Sequence, residues 1–281
     1  MNKKLSILTV CTFGVFGSTS AQHQPQLGKS PINEIISAMT IDEKVALLVG
    51  FGDEDTPDSI PSATIGFTKK IIPGAAGITH AIPRLGIPSV VLADGPAGLR
   101  IDPKRPGTDS TFYCTHFPVA TSLASTWNTP LVKSVGNAIG NETLEYGVDI
   151  LLAPATNIMR NPLCGRNFEY YSEDPILAGK LTSAMIQGIQ QNGVGTSIKH
   201  FALNNQETNR TGNNVLVSPY VMHELYLKPF EIAIRESTPW TVMSSYNKVN
   251  GEYASENSLL LDSILRRRWG YKGLVMTDGF G

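Results

Sequence analysis

Five side chains able to do chemistry stand at the C-terminal ends of short apolar runs. Asp94 closes PSVVLAD, Lys199 and His200 sit side by side in GTSIKHFA, Tyr246 closes WTVMSSY and Asp278 closes GLVMTD. Nearby in sequence lie Arg100 in LADGPAGLR, Arg166 in NPLCGRNFEYYSEDP and Met243 in VMSSYN. Each segment sets a charged or hydroxylated side chain beside Gly, Pro or Asn. Such a pocket suits a neutral, polyhydroxylated ligand. A carboxylate accepts from two vicinal hydroxyls, and Arg, Lys or His donates to the remaining oxygens. Taken singly, each residue has a plain structural role, Asp94 as a turn former before Gly-Pro, Arg166 or Lys199 in a solvated ion pair. Taken together they call for one site.

Other chemistries find little here. The 281 residues carry a formal charge of −1, which gives no reason to expect nucleic acid or an acidic membrane surface as partner. A hydrophobic content of 41% and a charged content of 17% are those of an ordinary globular chain with a sizeable core. No GxGxxG or GxxxxGK[ST] occurs, so a phosphate cradle is not expected. The histidines at 23, 80, 116, 200 and 223 form no HxH or HExxH pair, and the cysteines lack zinc spacing. No metal and no cofactor is implied. His223 lies in a helical pattern and reads as surface or packing.

The elements that must position these side chains alternate. Residues 88–94, 148–154, 195–202, 240–246 and 273–278 read as buried strands, being short, β-branched and nearly continuous in apolar character. Residues 117–125 and 69–77 are weaker strand candidates. Between them, Asn128-Thr129-Pro130 opens a helix with apolar Leu131, Val135 and Ile139 on one stripe. Asp174-Pro175 opens another carrying Leu177, Leu181, Ala184 and Met185. Ser218-Pro219 opens a third that Pro229 should kink or break, and Ser258 a fourth that ends basic before Gly270. Strand–helix alternation predicts parallel βα units. Polar residues at the ends of several strands, rather than at one switch point, favour a TIM-type (β/α)8 barrel over a doubly wound sheet.

The first residues stand apart. MNKK, an apolar LSILTVCTFGVFG and a small-residue STSA read as a signal peptide cleaved after Ala21, leaving residues 22–281 as one exported domain, periplasmic or secreted, with no membrane contact after cleavage. The apolar part is well short of the roughly 20 residues of a membrane span. Cleavage leaves Cys114 and Cys164, and in an exported protein the two are a candidate disulfide, with a pair of buried thiols as the equal alternative. GFGDEDTPDSIPSATIGF reads as a surface loop.

The segments ADGPAGLR, GRNFEYYSEDP, KHFALNNQETNR, VMSSYN and MTD, in that order between residues 39 and 281, resemble the N-terminal barrel of glycoside hydrolase family 3, its β-glucosidase branch. The resemblance implies an exo-acting retaining β-glucosidase that releases terminal non-reducing glucose from a β-glucoside or short β-linked oligosaccharide. It makes Asp278 the nucleophile and Asp94, Arg100, Arg166, Lys199, His200, Met243 and Tyr246 the sugar-binding set. The neighbouring cations should keep Asp278 ionised. Glu169 and Glu207 are expected to support the loops, Glu207 as the ion-pair partner of Arg210. In a regular strand Lys199 and His200 would point to opposite faces, so a bulge or a cis peptide is expected around 199–201.

Two departures from the family's pattern matter. The residue after the nucleophile is Trp in this branch; here it is Gly279, followed by Phe280, so weaker binding or an altered leaving-group preference is expected unless Phe280 substitutes. The family's general acid/base is a Glu of a later domain, beyond Gly281. The barrel is therefore expected to be C-terminally incomplete, truncated just after the nucleophile strand, and the 281 residues alone inactive. The alternatives are a β-xylosidase of the same family, or a non-catalytic sugar-binding protein or pseudoenzyme. The amide-rich LNNQET does not resemble the loop of the family's β-N-acetylhexosaminidases.

Overall fold

The structure, a computed structural model, describes residues 24–50 and 72–279. The signal peptide expected at 1–21, most of the expected surface loop and Phe280 lie outside the described residues. Two sheets are present among the rest. The larger orders its strands β1 (Gly77–Ile78), β2 (Val91–Ala93), β3 (Ile150–Leu151), β4 (Gly195–Phe201), β6 (Thr241–Ser244) and β9 (Leu274–Met276). The smaller is formed by β5 (Asn214–Val215), β7 (Lys248–Val249) and β8 (Glu252–Tyr253).

From β2 to β9 every neighbouring pair of the larger sheet is parallel, and each strand lies beside the one that precedes it in the sheet's chain order. No reversal of strand order occurs, so the sheet has no doubly wound switch point. The result is a curled, incomplete (β/α) barrel-like sheet with helices packed on it. β1 pairs antiparallel with β2 at one edge. The strands read at 88–94, 148–154, 195–202, 240–246 and 273–278 all lie in this sheet. β4 is buried along its whole length, as befits a strand covered on both faces.

Helix starts follow their caps. Asn128 Oδ1 accepts from Leu131 N at 3.0 Å and Asp174 Oδ1 from Leu177 N at 2.7 Å, opening Thr129–Glu145 and Pro175–Gln190. Ser218 caps a third start through Val221 N at 3.3 Å. That helix breaks as expected. Residues Met222–Tyr226 form a wide turn in which Leu227 N reaches Met222 O, and a new helix, Lys228–Ser237, starts with Pro229 in its first turn. Two expectations need correction. Residues 117–125 are not a strand: Ala120–Ala124 is a short helix, burying Ala120, Leu123 and Ala124 at i, i+3, i+4 spacing. The buried residues of Thr129–Glu145 are Val132, Gly136, Ile139, Gly140 and Thr143; of the expected Leu131, Val135 and Ile139, Ile139 is buried, Val135 packs at the edge of the core and Leu131 is exposed.

Glycine explains that shift. A Cβ on Gly188 would lie 2.2 Å from the Lys133 carbonyl oxygen, and one on Gly136 would lie 2.6 Å from that of Met185. The helices Thr129–Glu145 and Pro175–Gln190 therefore touch backbone to backbone, and the face that hydrophobicity alone ignores is the one that packs. Gly188→Ala should force them apart and lower stability by about 1–3 kcal/mol, read as a fall in the urea midpoint. An unchanged midpoint would show that the crossing is not close.

Candidate active site

Asp94 directly follows β2, and the turn after it is closed by Arg100 N donating to Asp94 O at 2.7 Å. Gly98 allows the turn: its φ is +119°, and a Cβ there would lie 2.3 Å from the Thr115 carbonyl oxygen. The turn carries Arg100 back over Asp94. Arg100 Nη2 bonds Asp94 Oδ2 at 2.8 Å, while Lys199 Nζ reaches Oδ1 at 3.2 Å. Each carboxylate oxygen thus has its own cation. Burial pushes the Asp94 carboxyl up, but Lys199, Arg100 and Arg166 outweigh it, and the net shift is downward.

Lys199 and His200 occupy an irregular stretch of β4. The register against β6 shifts between Ile198 and Phe201, and the Lys199–His200 and Phe201–Ala202 peptides are cis. The bulge or cis peptide expected at 199–201 is found. Asn157 brackets the segment: its Oδ1 accepts from His200 N at 2.8 Å and its Nδ2 donates to His200 O at 2.9 Å. Lys199 is only 4% exposed and His200 1%.

Asp278 lies two residues past the end of β9 and is 9% exposed. His200 Nε2 stands 3.9 Å from its Oδ2. Burial, aided by Arg166, Lys199 and Arg210, holds the imidazole well below its ordinary range, so His200 is neutral and the contact is not an ion pair. The Tyr246 hydroxyl donates a hydrogen bond to the Asp278 carboxyl. His200 Nδ1 and Asp278 Oδ2 are buried without a hydrogen-bond partner among the described residues, which leaves each able to bond a hydroxyl brought by a ligand. Asp94, Arg100, Arg166, Lys199, Phe168 and His116 line a cavity of about 390 Å3, within the size range of small-molecule sites. Asp278, His200, Met243 and Tyr246 are not among its lining; Asp278 is linked to it through the field of the same Lys199 and Arg166. Met243 is buried on β6, in register with Met276.

The family follows from the sequence over this same region. Residues 81–281 match the model of the glycosyl hydrolase family 3 N terminal domain. The chain belongs to glycoside hydrolase family 3. It is 41% identical over 250 residues to the thermostable beta-glucosidase B of Acetivibrio thermocellus, covering 88% of this chain and 30% of that protein. It is also 41% identical over 230 residues to an exo-alpha-(1->6)-L-arabinopyranosidase of Bifidobacterium longum, covering 80% and 30%. Among solved structures, beta-glucosidase 3B of Thermotoga neapolitana in complex with glucose superposes with a TM-score of 0.82 at 55% identity, covering 88% of this chain and 33% of that one. The chain thus spans about a third of the length of these glycoside hydrolase family 3 relatives.

Within this domain, two expectations change. Cations do surround Asp278, but they do not set the sign of its shift: burial raises its carboxyl, and Lys199, Arg166, Arg210 and the Tyr246 hydrogen bond only oppose the rise. Cys114 and Cys164 are both free, half-buried thiols here, so the candidate disulfide is not formed, and burial pushes the Cys114 thiol up. Gly279 adopts φ +55°, a left-handed conformation natural to glycine and strained for the Trp of the family's pattern. Glu169 and Glu207 are taken up by Arg166 and Arg210, Glu207 at 3.1 Å. Asn157 escaped the sequence reading. Its only signal there is a lone amide inside the apolar run APATNIM.

Because Lys199 acts on both carboxyls and Arg100 on Asp94 alone, the two can be told apart. Lys199→Gln should raise the titration midpoints of Asp94 and Asp278 together, and Arg100→Gln that of Asp94 only, followed by carboxyl-carbon NMR of Asp-labelled protein. An Asp278 midpoint indifferent to Lys199 would remove the lysine from its surroundings.

Proposed function

We propose that the chain is the nucleophile-bearing part of an exo-acting, retaining β-glucosidase, with Asp278 as nucleophile. The observation that carries this is the pairing of two unlike carboxyls that follow strands of one sheet and share the field of Lys199 and Arg166. Asp94 is held down by its cations, and Asp278 is pushed up by burial. An environment that drives two carboxyls apart separates their roles. Asp94, bound by Arg100 and Lys199, would grip the far hydroxyls of a terminal sugar, with Arg166, Lys199 and neutral His200 bonding the others. Met243 and Tyr246 would wall the same subsite. One Asp278 oxygen would attack the anomeric carbon as the aglycone oxygen leaves with a proton from an acid. Water would then release the sugar and return the proton.

The acid is assigned to a Glu of a further domain, in keeping with relatives about three times as long. Glu169 and Glu207 are poor substitutes, since each is already tied to an arginine. The same reading takes β2, β3, β4, β6 and β9 as part of a (β/α)8 barrel, supported by their unbroken parallel order. Export is proposed from MNKK, the apolar run and STSA, and N-terminal sequencing of the mature protein should begin at Gln22. A chain still starting at Met1 would contradict it.

A second reading, a sugar-binding protein without turnover, is favoured by Gly279 where the family carries Trp. The sugar itself is open to test as well, since the arabinopyranosidase is as similar as the glucosidase, and a β-xyloside differs from a β-glucoside only in the hydroxymethyl group. Incubating the full-length gene product with a 2-deoxy-2-fluoro-β-glucoside should add the mass of one fluoroglycosyl group to the peptide holding Asp278, and Asp278→Asn should take up none. Saturable glucose binding with no labelled peptide would favour the binding protein, and labelling only by the xyloside analogue would change the sugar.

A further inference from the structure

A chain of contacts leads to Asp278 from the loop after β4. Arg210 Nη1 bonds Glu207 Oε2 at 3.1 Å, and the guanidinium carbon stands 4.8 Å over the Tyr246 ring centroid. That is inside the about 6 Å reach of a cation–π contact. Tyr246 in turn bonds Asp278. The other Glu207 oxygen accepts from Asn204 Nδ2 at 3.3 Å. Asn204 is buried and exchanges hydrogen bonds with the Tyr170 hydroxyl, at 3.1 Å to its carbonyl and 3.3 Å from its amide. The Tyr170 ring meets the His200 ring edge-on at 6.4 Å. Glu207 is therefore the root of two arms, each ending on a neighbour of Asp278.

The pair is half-buried, with side chains 25% and 39% exposed. An ion pair so placed contributes little stability by itself. Its consequence lies in what it holds. Lys199 and Arg166 are the other cations acting on Asp278; Tyr246 and neutral His200 are its polar neighbours from β6 and β4. Of the three cations, Arg210 is the one stacked on the phenol that bonds the carboxyl.

We propose that Arg210, anchored by Glu207, is a positioning residue for Asp278: the ion pair keeps the guanidinium over Tyr246, so that the phenol hydroxyl and a cation both stay on the carboxyl. It rests on the reading of Asp278 as nucleophile for its catalytic meaning, but the contact is tested without turnover. The Asp278 midpoint is followed by carboxyl-carbon NMR in the intact chain. Arg210→Gln should raise it by about half to one pH unit, and Arg210→Lys, which keeps the charge but not the planar stack, by less.

Glu207→Gln gives the deciding sign. Removing a negative charge would by itself lower the midpoint of a nearby carboxyl; losing the anchor lets the cation drift from Tyr246 and raises it. A rise in Glu207→Gln supports the proposal, and a fall or no change overturns it. Should Arg210→Gln fail to fold, Glu207→Gln and Arg210→Lys still decide. Fluoroglucoside labelling of the full-length protein is read separately: an unlabelled wild type refutes the nucleophile, whereas a labelled wild type with an Asp278 midpoint unmoved in the variants refutes the positioning.

Discussion

The buried ammonium of Lys199 is the constraint on which the rest depends. A lysine only 4% exposed is costly to keep charged unless an anion meets it. Asp94 meets it at 3.2 Å, from a different strand end. That single contact ties the turn after β2 to the middle of the sheet and sets the cation of one segment between the carboxyls of two others. Removing Asp94 would leave the ammonium stranded in the interior, the costlier half of any buried pair, whereas Asp94 without Lys199 would keep Arg100. The irregular backbone at the end of β4, with its shifted register and Asn157 bracket, lets Lys199 and His200 serve neighbouring carboxyls instead of opposite faces.

From that constraint follows the contrast between Asp94 and Asp278. Asp94 is half-buried and Asp278 buried, and both feel the same lysine and Arg166, yet they move in opposite directions. Asp94 has two cations in direct contact, one on each oxygen. Asp278 has a neutral imidazole at 3.9 Å and a phenol, with the cations acting through space. A carboxylate saturated by cations is a grip for hydroxyls. One whose anion is poorly solvated is better disposed to form a bond. The parallel strands supply the geometry for this by ending on one side of the sheet, as barrel enzymes do.

Much of this was legible in the residues. The five short, continuous apolar runs announced their strands because strands buried on both faces need no alternation, and Asn128, Asp174 and Ser218 announced helix starts through their side-chain oxygens. Lys199 next to His200 announced a disturbed strand, since a regular one separates them. What stayed hidden needed neighbours distant in sequence. FPVATSLAS looks β-like, yet three small or apolar residues at helical spacing bury it as a helix. Glycine carries no hydrophobic signal, so the packed face of Thr129–Glu145 was misjudged by one residue. The cations round Asp278 could be counted in sequence, but its burial, which decides the direction of its shift, could not. Asn157 gave no hint that both ends of its amide are spent on one histidine's backbone.

The central claim is a geometry: a pyranose held by Asp94 at its far end with its anomeric carbon turned to Asp278. A crystal structure of the protein with bound glucose tests it most directly. The account predicts the anomeric carbon within about 3.5 Å of an Asp278 carboxylate oxygen, with the hydroxyls remote from it on Asp94 and Lys199. Glucose bound with its anomeric carbon toward Asp94, or away from Asp94, Lys199 and Asp278 altogether, would contradict it.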